Sequence, residues 1–215
     1  MSVTIVENLC EAVQKGRVKD VLALIEAGLN EGIPAQELLD GGLLRGMSLL
    51  GVRFKNNEVF VPEVLIAARA LNKGTDMLKP RLIEAGIEPK GKAVIGTVQG
   101  DLHDIGKNLV KMMLEGSGFA VVDLGVDVTD GRFVDSIREH TPDILCLSSL
   151  LTTTMERQRL VVEAVTAAGL RDQVKILVGG APITQGFCNE IGADGYAPDA
   201  ASAADLASSL VAVRQ

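Results

Sequence analysis

His103 is one of two histidines in the chain, and it stands two residues after Asp101. A carboxylate that holds one ring nitrogen of an imidazole fixes the tautomer and directs the other nitrogen outward, as beside many metal-bound histidines. Gly106, three residues further on, lets a large flat ligand approach the backbone. These residues therefore predict one directed nitrogen ligand, although they also fit an exposed loop histidine beside a helix-capping aspartate.

The remaining potential ligands do not make an ordinary zinc site. Zinc takes three or four protein ligands, and a single histidine without a second ligand does not meet that need. If His103 binds a metal, a macrocycle must supply the other ligands. The three cysteines are far apart and odd in number. They form no disulfide framework and favour a reducing, cytoplasmic location.

Small and polar residues also follow two later apolar runs. Ser148 to Met155 comes at the end of one run, and Gly179-Gly180 comes at the end of the next. Ligands of open parallel sheets bind beyond the carboxyl ends of the strands. We therefore expect these two segments and the loop of His103 at one edge of one sheet, with Tyr196 on the same edge after a weak fifth strand.

The elements that position these loops alternate between strand and helix from residue 89 onward. This alternation predicts a doubly wound, flavodoxin-like domain with a five-stranded parallel sheet, because parallel strands need crossover connections. The predicted strands are 93–98, 119–124, 144–147, 175–178 and 195–197, and the predicted helices are 105–115, 131–140, 156–168, 185–191 and 200–213.

Residues 1–88 show little strand signal and predict a bundle of four or five helices. We expect helices over 2–15, from Val18 to an end at Gly28, from Pro34 to Leu50, and from Pro62 onward with a kink or break at Pro80. The polar stretch 87–92 is the candidate linker. The predicted domains are thus 1–88 and 89–215.

Composition excludes several partner classes. Among 215 residues, 21 Lys and Arg against 28 Asp and Glu give a net charge of −7, which disfavours nucleic acid and anionic lipid. There is no Trp and one Tyr, so the chain lacks aromatic residues for base stacking. No apolar run approaches the length of about 20 residues that spans a bilayer. We also find no secretory signal at the N-terminus.

Three motifs in order carry a specific resemblance. The segment Asp101-Leu102-His103-Asp104-Ile105-Gly106 matches the DxHxxG pattern of cobalamin-binding domains, Ser148 to Met155 resembles their SxLLTTTM segment, and Gly179-Gly180 resembles their GG segment. Residues 58–63 resemble the end of the helical cap module that precedes such domains. Over nearly its whole length the chain resembles the corrinoid proteins of methyltransferase systems, and it is similar to the cap and cobalamin-binding modules of cobalamin-dependent methionine synthase.

The resemblance implies a role for each matching residue. His103 would replace the cofactor's own base as the lower ligand of cobalt, Asp101 would accept its other N–H, and the Thr154 hydroxyl would continue the relay where methionine synthase has a serine. Ser148 and Thr152 would bind the nucleotide tail of the cofactor. The other residues expected at the cofactor are Asp104, Ile105, Gly106, Leu150, Gly179, Gly180, Tyr196 and, on the cap, Phe60.

The resemblance further implies base-off, His-on binding of cobalamin and a role as methyl carrier rather than stand-alone catalyst. The implied partners are a substrate-specific methyltransferase, a second methyltransferase that serves a folate or thiol acceptor, and a reductive activase. Three alternatives stay open: the small subunit of a cobalamin-dependent mutase, a cobalamin-binding sensor or regulator, and a flavodoxin-like interaction domain without a cofactor.

Overall fold

The computed structural model describes the backbone of residues 2–212 and the side chains of residues 4–212. The chain divides into two compact units within this range. One unit consists of residues 2–89 with 116–118, and the other consists of 90–115 with 119–212. None of the described helices is long and apolar enough to cross a membrane.

The first unit is helical, as the apolar periodicity predicts. Short turns separate its helices, and Gly16 with φ +64° ends the first of them. The α-helices are α1 Ser2–Gln14, α2 Val18–Asn30, α3 Ala35–Glu37, α4 Arg45–Lys55 and α5 Val61–Glu84, and a π-helical segment, Leu38–Leu44, joins α3 to α4.

Two expectations for this unit are wrong. Gly28 does not end α2 but is buried inside it, and a Cβ at this glycine would lie 2.8 Å from Leu38 Cδ2. The turn after α2 instead uses Gly32, with φ +79°, and Ile33 N–H donates to the carbonyl of Gly28 at 2.9 Å. At Pro80 the expected break does not occur, because α5 continues to Glu84, and a kink there stays a prediction. Buried leucines on both sides of Pro80, Leu78 and Leu82, keep that turn packed.

The π-helical segment owes its close packing to two glycines. A Cβ at Gly41 would lie 2.9 Å from Val6 Cγ1, and one at Gly42 would lie 2.5 Å from Leu9 Cδ2. Larger residues would therefore push the segment away from α1. The helix predicted from Pro34 to Leu50 in fact continues to Lys55. It is also interrupted by the π-helical turns that the two glycines allow.

The second unit confirms the predicted five-stranded parallel domain. The strand order is β2-β1-β3-β4-β5, the flavodoxin-like order. The strands are β1 Gly91–Thr97, β2 Phe119–Asp123, β3 Ile144–Ser148, β4 Lys175–Gly179 and β5 Gly195–Tyr196. The helices are α6 Ile105–Gly116, α7 Asp130–His140, α8 Thr152–Ala167, α9 Gln185–Glu190 and α10 Ala200–Ala212, with a 3-10 turn at Arg171–Gln173.

Most differences from the predicted bounds are one or two residues, but two are informative. Gly91 and Lys92, expected in the linker, begin β1. Helix α8 begins at Thr152, four residues before the predicted start at residue 156, so its threonines lie in the first turn rather than in a loop. The last helix was expected to reach Val213, which lies outside the described residues.

The sheet is covered on both faces, which explains its nearly continuous apolar strands. Right-handed crossovers place α7, α8 and α9 on one face and α6 on the other. The core of the first face combines Val94, Leu145 and Ile176 from the strands with Phe133 of α7 and Val161 of α8. On this scaffold the carboxyl ends of β1, β3 and β4 open toward the same edge, because Thr97 pairs with Ser148 and Ser148 pairs with Gly179.

We expect the three cysteines to be inert in the folded protein. Cys10, Cys146 and Cys188 are all buried free thiols, and burial raises the pKa of Cys146 to about 12. The thiolate is the reactive form, so a disulfide reagent at pH 8 should modify all three thiols in denaturant and essentially none in the native protein. Rapid native labelling of Cys146 would contradict the closed packing of β3.

Candidate functional site

The candidate site lies where β1 and β3 end side by side. After Thr97 the chain turns through 98–104 into α6, and after Ser148 it turns through 149–151 into α8. The N–H of Val98 donates to the carbonyl of Ser148 at 3.0 Å, which ties the two turns together at their base. The sheet order therefore brings the motif of His103 and the Ser/Thr segment together although 45 residues separate His103 from Ser148.

Asp101 is the centre of the site, and it is completely buried. One carboxylate oxygen, Oδ1, accepts the main-chain N–H of His103 at 3.1 Å and contacts its ring Nδ1 at 2.8 Å. The other oxygen, Oδ2, accepts the N–H of Leu150 at 2.7 Å and the hydroxyl of Thr154 at 2.7 Å. The structure thus places Thr154, Asp101 and His103 in one continuous chain of hydrogen bonds.

The electrostatics of this chain keep Asp101 ionised. Burial by itself raises the pKa of the carboxyl, but the hydrogen bonds from Thr154, Leu150 and His103 lower it further, so the net pKa is well below the ordinary value. An ionised carboxylate accepts hydrogen bonds only, so ring Nδ1 of His103 must carry the proton and donate it. In the neutral ring the lone pair is then on Nε2, which makes no hydrogen bond within the described part of the chain.

The surroundings of His103 suit a large apolar-faced ligand. Its side chain is 52% exposed. Four aliphatic side chains, on the two turns and at the first position of α6, are also exposed, although such residues are usually buried. They are Leu102 (71%), Ile105 (73%), Leu150 (43%) and Leu151 (42%). Such a patch at the edge of a sheet is typical of a binding surface.

The donor set fits a metal held in a macrocycle. The described residues contain no group of three or more His, Cys, Asp or Glu that could hold a metal ion. His103 therefore offers one nitrogen and nothing else, which is what a cobalt already carried by a corrin ring requires. Space is also present beside it, because a Cβ at Gly106 would meet no atom within 4 Å.

Gly179, the last residue of β4, and Gly180 differ in what they do. Gly180 has φ +131°, and a Cβ there would lie 1.7 Å from the carbonyl oxygen of Ser149. Gly180 is therefore required for the turns after β3 and β4 to approach each other. A Cβ at Gly179 would meet only the carbonyl of Ala197, at 3.9 Å, so this glycine leaves open space at the sheet edge.

The remaining predicted site residues are spread around this centre. Asp104 is exposed and holds the first turn of α6, since its main-chain carbonyl accepts the main-chain N–H of Asn108 at 2.7 Å and its carboxylate accepts the side-chain amide of Asn108 at 3.1 Å. Ser148 is half-buried at the end of β3, and Thr152 is exposed at the start of α8. Tyr196, on the edge strand β5, packs against the core of the α7–α8 face. The structure does not bring Tyr196 into the hydrogen-bonded chain of Asp101.

Phe60 belongs to the helical unit, where it is 64% exposed at the N-cap of α5. Its main-chain N–H donates to Glu63 Oε2 at 3.1 Å, which fixes the start of the helix rather than the ring. An exposed phenylalanine is uncommon in a helical bundle. Its predicted role over the cofactor stays a prediction.

Sequence reasoning missed several residues that build the site, among them Gln158 and Asp127. Gln158 is completely buried, and its Nε2 lies 3.0 Å from both Ser149 Oγ and the carbonyl of Gly179, so it ties the ends of β3 and β4 together. A lone glutamine on the apolar face of α8 was the available signal. Asp127, with φ +54°, accepts the N–H of Gly100 at 2.7 Å and so supports the turn before Asp101. Nothing local in the sequence marks this contact.

Lys107 forms a further buried polar contact near the motif. Its Nζ lies 2.7 Å from both carboxylate oxygens of Asp123 and 2.8 Å from Asn108 Oδ1. Burial opposes ionisation of Asp123, but the hydrogen bond from Lys107 lowers its pKa below the ordinary value. The pair anchors the first turn of α6 to the end of β2, so Lys107 faces the protein interior rather than a ligand.

Thr154→Val is expected to destabilise the protein by about 1–2 kcal/mol, because it removes a charge-assisted hydrogen bond from a buried carboxylate. Urea unfolding of the cofactor-free protein measures the effect. Thr154→Ser keeps the hydroxyl and should recover most of the lost stability. If serine were as destabilising as valine, the methyl group of Thr154 rather than its hydroxyl would be the stabilising element.

Comparison with known proteins agrees with this geometry. Residues 91–205 match the family model of the B12 binding domain, and residues 5–79 match a second model of the same description. The first match begins with β1 and includes the His103 motif, the Ser/Thr segment and Gly179-Gly180. The second match lies entirely in the helical unit.

Relatives match over nearly the full length. The chain is 41% identical over 209 residues to the dimethylamine corrinoid protein of Methanosarcina barkeri, with 97% of this chain and 98% of that protein covered. It is 45% identical over 190 residues to trimethylamine corrinoid protein 1 of Methanosarcina acetivorans, with 87% of each covered. Among solved structures, a chain of the methanol:cobalamin methyltransferase complex MtaBC from Methanosarcina barkeri is similar with a TM-score of 0.87 and 28% identity, over 97% of this chain and 80% of that one. The chain therefore belongs to the family of corrinoid proteins with B12 binding domains.

Proposed function

We propose that this chain is a methyl carrier that binds cobalamin with His103 as the lower axial ligand. The observation that carries the proposal is the hydrogen-bonded chain from Thr154 through Asp101 to His103, which leaves Nε2 of an exposed imidazole free to bind a metal. Bound cobalamin would supply a cobalt centre that accepts and releases a methyl group. The protein's part is to hold and orient that centre.

The residues of the site contribute to this function in different ways. Asp101 holds the proton at Nδ1 of His103 and so keeps the lone pair at Nε2. Thr154 and the N–H of Leu150 hold the carboxylate itself in place. The exposed aliphatic side chains, Leu102 and Ile105 among them, offer an apolar surface to the ring and exclude water from the ligand nitrogen. Gly106 and Gly179 leave room for the cofactor beside the backbone.

The comparisons support a small amine or alcohol as the methyl source. Two relatives are named for dimethylamine and trimethylamine, and the structural neighbour is part of a methanol:cobalamin methyltransferase complex. The methyltransferase complex among the structural neighbours supports a substrate-specific methyltransferase as partner. The resemblance of the motifs implies the other partners that we propose, a second methyltransferase with a folate or thiol acceptor and a reductive activase. Because the donor would bind to the partner enzyme, the carrier itself needs no pocket for it.

Reconstitution tests the proposal. The purified protein is incubated with hydroxocobalamin without oxygen, desalted and examined by visible absorption. We expect about one retained corrinoid per chain, and a colourless protein after desalting would overturn the proposal. The loaded, reduced protein is then mixed with a methylamine- or methanol-specific methyltransferase and its ¹³C-methyl-labelled substrate. Labelled methyl on the retained corrinoid identifies the donor class, and the absence of label from every donor would contradict methyl carriage.

A further inference from the structure

Thr97, the last residue of β1, is a completely buried polar residue directly beneath the motif loop. Its hydroxyl donates to the main-chain carbonyl of His103, with an Oγ1–O distance of 3.0 Å. The main-chain groups of Thr97 are already used, because its N–H donates to Gly125 and its carbonyl accepts from Val128, each at 3.0 Å. The hydroxyl is thus the remaining polar group of Thr97, and its hydrogen bond goes to His103.

This contact completes a three-point hold on His103. The N–H and the ring Nδ1 of His103 both meet Asp101 Oδ1, at 3.1 Å and 2.8 Å. Asp101 therefore fixes one side of the residue, from its N–H to its ring. The carbonyl side, which leads into α6 two residues later, is fixed by Thr97. Without that bond the carbonyl of His103 loses its side-chain partner, and the main chain that carries the ring is held on the Asp101 side alone.

The position of Thr97 is otherwise one for an apolar residue. The preceding strand residues Ala93, Val94 and Ile95 are apolar and almost fully buried. A buried hydroxyl without a partner costs stability, whereas valine has the same shape and no such cost. Within the described residues the hydroxyl of Thr97 has one partner, the carbonyl of His103. Packing therefore does not account for a threonine here, but the hold on His103 does.

We propose that Thr97 is a positioning residue for His103, which fixes the carbonyl of that residue so that Nε2 keeps its direction toward the cofactor. The inference rests on the proposed function, because it assumes that His103 binds cobalt. Thr97 touches neither cofactor nor substrate, and it acts through the main chain of the ligand residue.

The test compares Thr97→Val with Thr97→Ser and with a control of the same chemical change at an exposed position, Thr166→Val. Thr166 also donates its hydroxyl to a main-chain carbonyl, that of Val162 at 2.8 Å, but it lies within α8 away from the motif loop. Each protein is loaded with cob(II)alamin and examined by electron paramagnetic resonance, in which an axial nitrogen splits the cobalt lines into triplets. Amide hydrogen exchange of His103 in the cofactor-free proteins gives a second reading that needs no cofactor.

In Thr97→Val we expect the ratio of nitrogen-bound to nitrogen-free cobalt to fall about fivefold, the change that one ordinary hydrogen bond supports. The His103 amide should exchange faster by a similar factor. Thr97→Ser and Thr166→Val should keep both wild-type values. If Thr97→Val lowers the unfolding temperature but leaves the nitrogen ratio equal to that of Thr166→Val, the role is merely structural and the proposal is overturned. If wild-type protein shows no nitrogen splitting, the ligand assignment in the proposed function fails, and amide exchange alone then decides whether Thr97 holds His103.

Discussion

Replacing His103 with alanine is expected to remove the axial nitrogen from bound cobalamin and to lower the affinity for the cofactor at least about tenfold. The reason is that the protein then offers no directed nitrogen at this place, and the described residues contain no group of three or more His, Cys, Asp or Glu that could hold the metal instead. The fold should survive, since the His103 side chain is half-exposed and buried Asp101 keeps its hydrogen bonds from Leu150, Thr154 and the main-chain N–H of residue 103. Visible absorption after desalting measures retention, and electron paramagnetic resonance of the cob(II) form measures the axial nitrogen.

The chain provides a matched control for this experiment. His140 is the other histidine, at the end of α7, where it contacts Glu139. His140→Ala should retain the nitrogen splitting and the full amount of corrinoid. Imidazole added to a His103→Gly protein should restore the splitting, because the vacated space can admit a free ring. Labelling the protein with ¹⁵N separates a protein nitrogen from the cofactor's own base, because only a protein nitrogen then changes the triplets to doublets. Persistence in His103→Ala, without imidazole, of a splitting that responds to this label would show that another protein group binds the cobalt and would refute the assignment.

Asp101→Asn is expected to have the second large effect, a loss of about 3 kcal/mol in the free energy of unfolding of the cofactor-free protein. The carboxylate accepts hydrogen bonds on both oxygens, from His103 on one and from Leu150 and Thr154 on the other. An asparagine has one oxygen and one NH₂ group, so its NH₂ must face donors on one side. That side loses its hydrogen bonds while staying buried, which is the costly case.

The same substitution should change the tautomer of His103. In the wild type the ionised carboxylate keeps the proton at Nδ1, whereas an amide no longer selects that nitrogen. Long-range ¹H–¹⁵N correlation spectra of the two histidine rings detect the change directly. Asp135→Asn, at an exposed site on α7, is the control and should alter stability by less than about 0.5 kcal/mol. An unchanged tautomer in Asp101→Asn would mean that some other acceptor orients His103.

The sequence alone was sufficient to predict the order of strands and helices in the sheet unit. Its strands are short apolar runs such as 144–148, and its helices are amphipathic and end at glycine or proline, so local patterns and their spacing specify them. Local patterns failed where two signals compete. Gly28 lies in the last turn of α2 and Gly32 comes just after the helix, and only packing against Leu38 makes the first an interior residue and leaves the second to form the turn.

The start of α8 shows why part of the site was beyond local reasoning. Thr152 to Thr154 are β-branched and lack a capping residue before them, since the N-cap position is Leu151. The helix nevertheless begins there because Asp101, about 50 residues earlier, accepts the N–H of Leu150 and the Thr154 hydroxyl. A negative charge at a helix N-terminus is stabilising wherever in the chain it comes from. The contact that starts the helix is therefore also the contact that organises the site.

The sequence by itself thus determined the kind of chemistry: one histidine with a carboxylate two residues before it, a glycine beyond, and Ser/Thr and glycine segments in a specific order. The tertiary structure alone decided which atoms meet, because the strand order places β1 beside β3 and so joins turns that are distant in the chain. It also decided that Thr97, Asp127 and Gln158 support those turns. Such contacts depend on sheet register and on the path of loops, neither of which leaves a periodic signal in the sequence.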